Sequence, residues 1–131
     1  MNPGEASSAT LWMRAASGLE VLTALGLVFA PSLLSRLLFG SDLNAAGEAT
    51  GRIAGLVMVG LAAGCWPRSA GPRPHALAPL MALSWLAAAF LIATGLIGAS
   101  VGVLLWPAAA LHVILGVLLT RAWAESRRSA G

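Results

Sequence analysis

With 131 residues, 58% of them hydrophobic and only 10% charged, the chain lacks the charge to clothe a water-soluble fold; soluble domains carry about 25%. A mean hydropathy of +0.83 points instead to a surface covered by lipid. The net charge of +3 and the pI near 11.2 do not indicate nucleic acid. All eight basic residues are arginines that flank apolar runs, which is how orientation signals are distributed in membrane proteins.

No stretch separates two cores, so residues 1–131 read as one domain. Residues 1–10 are small and polar and are expected to be a solvated, disordered tail. The first apolar span covers about 11–30. Glu20 interrupts it, and no small-x-small cleavage site follows, so it reads as a retained helix and not as a secretory signal. Pro31 restarts the chain. In PSLLSRLLF, Leu33, Leu34, Leu37 and Leu38 fall together at helical spacing, which predicts a short amphipathic helix at the membrane interface. Gly40-Ser41-Asp42 ends it, and a polar connection with Asn44 and Glu48 follows.

The second span is read over 51–66 and is closed by Pro67. Arg68–His75 is rich in proline and glycine and predicts a turn. The third span covers 76–97, with Pro79 in its first turn, where a missing amide costs little. Gly98-Ala99-Ser100 predicts a tight turn into a fourth span over 101–123, in which Pro107 marks a kink or a late start. Residues 124–131 are expected to be a solvated tail. Spans of about 18–23 residues match a hydrocarbon core of about 30 Å. In lipid, such spans must close their backbone hydrogen bonds as helices. The expected fold is therefore all-α and polytopic: four transmembrane helices in an up-down bundle, with an interfacial helix after the first.

The second span carries two glycine pairs, Gly51/Gly55 and Gly60/Gly64, at the spacing that lets membrane helices approach closely. At about 100° per residue the pairs lie on nearly opposite faces. This predicts a helix packed on both sides, at the centre of the bundle.

Orientation follows from the arginines. Arg14, Arg68, Arg73, Arg121, Arg127 and Arg128 fall on one side of a four-span chain, and Arg36 and Arg52 on the other. The bias places both termini in the cytoplasm. Trp12, Trp66 and Trp123 then belong to the cytoplasmic interface and Trp106 to the opposite one. Arg52 is one turn from Glu48, at the spacing of an ion pair.

Charged groups inside spans are expensive and mark sites that face protein or water. Glu20 lies about 9 Å along the helix from Arg14, and His112 about 13 Å from Arg121. Spans one and four bring them to comparable depth. A carboxylate beside an imidazole in low dielectric shares a proton or forms an ion pair. Glu20 and His112 therefore form the candidate proton or ligand site, with hydroxyls offered by Ser84 and Thr94. The alternative is that both residues only satisfy neighbouring helices. No metal set is expected, because His75 and His112 differ in depth and Cys65 is the single cysteine, read as a packing residue. No phosphate loop, nucleophile elbow or dinucleotide fingerprint is present. Neither an enzyme nor a cofactor is expected.

A first span ending LGLVFAP, then LLSRLLFG, a polar loop and GRIAGLVMVGLAAG resemble the DoxX-like small bacterial membrane proteins over residues 18–66. The resemblance implies a four-helix inner-membrane protein, in some members associated with quinol-linked or redox-stress complexes. Arg52 and Gly55 match the family pattern, without an assigned role. The expected function is an accessory or interaction subunit of a membrane complex, with the bilayer, other membrane subunits or a second copy as partners. The alternative is a proton-coupled transporter of a hydrophobic small molecule. Small multidrug transporters are similar in having four spans and a glutamate in the first, here Glu20. They differ in that this chain has no tyrosine and in that spans two to four do not match.

Overall fold

The computed structural model describes residues 3–67, 74–98 and 101–128. They form α1 (Pro3–Phe29), α2 (Pro31–Phe39), α3 (Ala45–Cys65), α4 (Pro74–Ile97) and α5 (Leu105–Arg128). The fold is all-helical, and α1, α3, α4 and α5 are each long and apolar enough to cross a membrane. Residues 68–73 of the expected connection lie outside the described residues, with Arg68 and Arg73. So do Ala99 and Ser100 of the expected turn.

Prolines and caps set the helix starts. Pro31 opens α2, and Pro107 is the third residue of α5, positions where the missing N–H would have no intrahelical partner. The fourth long helix thus starts at Leu105, later than the expected 101, and Pro107 does not kink its interior. The Asn44 side chain caps α3 by accepting from the Gly47 N–H at 2.8 Å. Glu48 sits in the first turn, where the helix dipole favours an acid. This cap carries α3 back to Ala45, so most of the expected polar connection is helical. Gly40 ends α2 in the left-handed region at φ 71°, and its N–H reaches the Arg36 carbonyl at 3.0 Å. At the other end of the chain, the stretch expected as a polar tail is helix from Pro3, and Ala9 is buried against the core. The small side chain of Ala9 permits that close approach, so low hydropathy did not make this segment a tail.

Helix packing in lipid depends on close van der Waals contact more than on expulsion of apolar surface. Small residues therefore define the seams. α1 packs most extensively on α3 and also touches α2, α4 and α5, whereas α3 has few contacts with any helix but α1. The central helix is α1, which corrects the expectation that the two glycine pairs would place α3 there. Gly51 faces Pro31, and Gly55 lies against the Ala24 carbonyl and Val28. A Cβ at Gly60 or Gly64 would meet nothing within 4 Å. On α1, Ala16, Ser17, Glu20 and Ala24 are buried along one face, a strip of mostly small residues that lets the neighbouring helices approach closely.

α4 and α5 form the other close pair. Trp85 of α4 covers Gly116 of α5, and Trp106 of α5 covers Gly95 of α4, each indole taking the space a side chain would fill. The Trp85 Nε1–H donates to Thr120 Oγ1 at 3.1 Å. A cluster of Ala9, Met13, Ala16, Cys65, Ala76, Leu77, Leu80, Leu115, Leu119 and Ala122 joins the four long helices at one end.

At the other end α2 ties the helix pairs together. The Gly102 N–H donates to the Leu38 carbonyl at 3.0 Å and the Leu104 N–H to the Leu37 carbonyl at 2.8 Å. The stretch before α5 thereby satisfies carbonyls that the end of α2 leaves open. Phe39 meets Phe90 of α4 edge to face, with centroids 6.1 Å apart. Ser32 Oγ donates to Glu48 Oε1 at 2.7 Å, and Glu48 also pairs with Arg52 at 3.1 Å, the pair its spacing predicted.

Candidate functional site

Glu20 lies midway along the apolar stretch Ser8–Phe29 and is 3% exposed. Ser17, one turn earlier and on the same face, is fully buried, and its Oγ has no hydrogen-bond partner. The carboxylate of Glu20 likewise accepts no hydrogen bond from the described residues. Its charged neighbour is His112 of α5, whose imidazole lies within electrostatic reach of the carboxylate. The fold thus brings together the two residues that the spacing placed at comparable depth.

His112 is fixed by its own helix. Nδ1 lies 2.8 Å from the Ala108 carbonyl oxygen. A carbonyl can only accept, so Nδ1 carries the hydrogen and Nε2 is the nitrogen left to exchange a proton. Ala109 and Gly116, small residues near His112 on α5, are buried and leave room for α1 and α4 to approach. A carboxylate, an imidazole nitrogen and an unpartnered hydroxyl form a set that can accept, hold and pass a proton or bind a polar group. Buried polar groups are normally satisfied, so the open valences of Ser17 and Glu20 distinguish this place from a settled packing contact.

The remaining expected members of the site are elsewhere engaged. Ser84 is buried on α4, but its Oγ donates to the Leu80 carbonyl at 2.9 Å. Thr94 Oγ1 donates to the Phe90 carbonyl at 2.8 Å. Both hydroxyls return to their own helix, a habit of Ser and Thr within helices. Ser17 lies one turn from Glu20, a spacing visible in the sequence, but nothing there showed that its hydroxyl would lack the same return bond. Toward the N-terminal end of α1 the interior is filled by Met13, Leu77, Leu80 and Leu119. Cys65 is buried in the same cluster. His75 is the second residue of α4. Among the described residues no three acidic, histidine or cysteine side chains gather as a metal set.

In comparisons with protein-family models, with curated proteins and with solved structures, nothing matches this chain.

Proposed function

We propose that this is a multi-pass inner-membrane protein that handles a proton at Glu20 and His112, coupled to the binding or movement of a hydrophobic small molecule. The observation that carries this reading is Glu20, a residue buried mid-span whose carboxylate has no hydrogen bond among the described residues, with the His112 imidazole of another helix within electrostatic reach. A purely structural glutamate would be expected to hold a donor on a neighbouring helix. The unpartnered Ser17 hydroxyl beside it supports the same reading.

The architecture this requires is an up-down bundle with α2 lying at the far interface. Its supports are Gly51 facing Pro31 while Cys65 lies with Ala9 and Met13, and the capping of α2 by the stretch before α5. Orientation with both termini in the cytoplasm rests on the arginines. On the far side Arg36 is neutralised by Asp42 and Arg52 by Glu48. On the near side Arg14, Arg121, Arg127 and Arg128 are exposed.

An accessory subunit of DoxX-like type is the second reading. It is favoured by the outer face of α3, where Ile53, Leu56 and Val57 are exposed and Gly60 and Gly64 leave open space for another membrane helix.

The deciding experiment is proton release from purified protein on adding hydrophobic cations or quinone analogues, for the wild type and Glu20→Gln, with thermal stability measured alongside. Under the proton-handling reading, Glu20→Gln keeps its stability and loses proton release. A Gln variant indistinguishable from wild type in both assays removes that reading. Affinity purification from native membranes then tests the accessory subunit.

A further inference from the structure

An apolar groove of about 280 Å³ opens laterally between α1 and α3, lined by Val21, Val59, Ala62, Ala63 and Trp66. It is separate from the Glu20 pair and does not depend on the proton-handling reading. Its floor is small side chains, and its lining carries almost no polar surface. Beyond Val21 toward the start of α1, the groove wall falls away at Gly18, where a Cβ would meet nothing within 4 Å.

Arg14 lies seven residues before Val21, two helical turns away and within about 20° of the same direction around α1. It therefore projects from the side of α1 that faces the groove. The facing of the two helices also sets its depth. Gly51 lies opposite Leu27 and Pro31 and Gly55 opposite Ala24 and Val28, so α3 runs antiparallel to α1. Trp66, the residue after Cys65, is accordingly level with Arg14. The groove thus ends at an exposed indole, and the exposed Arg14 stands at about that level on α1. Among the described residues no ion pair engages Arg14.

We propose that this groove binds one anionic glycerophospholipid from the leaflet on the N-terminal side of α1, with an acyl chain along Val21, Val59 and Ala63 and the phosphate at Arg14. The chemistry is complementary at both ends. Hydrocarbon meets an apolar channel that is open to the bilayer, and a phosphate meets a guanidinium suited to pair with it in two hydrogen bonds. The Trp66 indole sits where tryptophan favours the headgroup boundary. A second helix is a poor occupant. It is about 10 Å across with its side chains, too wide for a space bounded by one valine of α1 and one face of α3.

The test is native mass spectrometry of detergent-purified full-length protein, incubated with phosphatidylglycerol and phosphatidylcholine of identical acyl chains. Wild type should retain one lipid and prefer phosphatidylglycerol. Ala63→Trp fills the groove from an exposed position and should lose the lipid, while Gly60→Trp, on the open outer face, should keep it. Arg14→Gln should keep a lipid but lose headgroup preference by roughly fivefold, the effect of one arginine near an anionic headgroup. Circular dichroism and size exclusion establish that each variant is folded. Equal lipid retention by Ala63→Trp and Gly60→Trp overturns the groove assignment. Unchanged headgroup preference in Arg14→Gln overturns the phosphate assignment. Loss of a dimer instead of a lipid in Ala63→Trp overturns the proposal in favour of a second copy.

Discussion

Replacing Gly55 by alanine separates the packing of α3 from its helix propensity. A Cβ at this position would stand 2.7 Å from the Ala24 carbonyl oxygen, 2.8 Å from Val28 Cγ2 and 3.0 Å from Leu27 Cβ. The first two are roughly 0.7 to 0.8 Å inside the shortest optimal non-bonded separation, about 3.5 Å. The carbonyl belongs to the α1 backbone and cannot turn aside, so α3 must move away from α1 along their most extensive contact. Overpacking of this kind costs about 1 to 3 kcal/mol. Against it stands the gain of about 0.8 to 1.0 kcal/mol that any helical glycine makes on becoming alanine. Gly60→Ala receives that gain without the clash, because its Cβ meets nothing within 4 Å. The difference between the two variants therefore isolates the packing loss, about 1 to 3 kcal/mol, or roughly 3 to 15 °C in apparent Tm. Thermal unfolding in one detergent, followed by circular dichroism, measures it. Equal melting temperatures for Gly55→Ala and Gly60→Ala would show that the α1–α3 seam does not run through Gly55, and the placement of α1 at the centre would fall with it.

Gly102→Ala should release α2, because its Cβ would press on the backbone of Arg36 and Leu37 and break the bonds that Leu37 and Leu38 accept; each carbonyl left unpaired costs about 1 to 3 kcal/mol. Hydrogen exchange in α2 should accelerate, and unchanged protection of its amides would refute the clasp. Arg36→Ala should cost only about 0 to 1 kcal/mol, since the side chains of Arg36 and Asp42 are 63% and 57% exposed; a melting-curve loss above about 2 kcal/mol would mean a role beyond this pair. Reporter fusions at Gly131 should read cytoplasmic and a fusion near Asn44 external, given six arginines on one side and two on the other. An external Gly131 would contradict both the orientation and the number of spans.

The sequence by itself determined the helical class, the four long apolar segments and about half of their ends, missing the starts at Pro3, Ala45 and Leu105 and the extension of the last helix to Arg128. These depend on hydropathy over about 20 residues and on local signals such as Pro31 and Gly40, which act through their own backbone. It also singled out Glu20 and His112, because ionisable groups are rare inside an apolar span. What it did not determine is which helix lies at the centre. Gly51/Gly55 and Gly60/Gly64 have the same spacing, yet one pair meets α1 and the other meets open space. Two identical motifs differ only in whether a partner presents a matching surface, and that depends on residues remote in the chain. The same limit applied at Ser17, Ser84 and Thr94, which look alike as hydroxyls on apolar helices. Whether a hydroxyl closes on its own helix or stays open in the interior depends on its rotamer and on the neighbour that packs over it. The clasp between α2 and Gly102, the Trp85–Gly116 contact and the groove beside Arg14 are likewise products of docking. Each joins backbone or side chains from separate helices at van der Waals distance, a relation that no local pattern encodes and that only the packed tertiary structure decides.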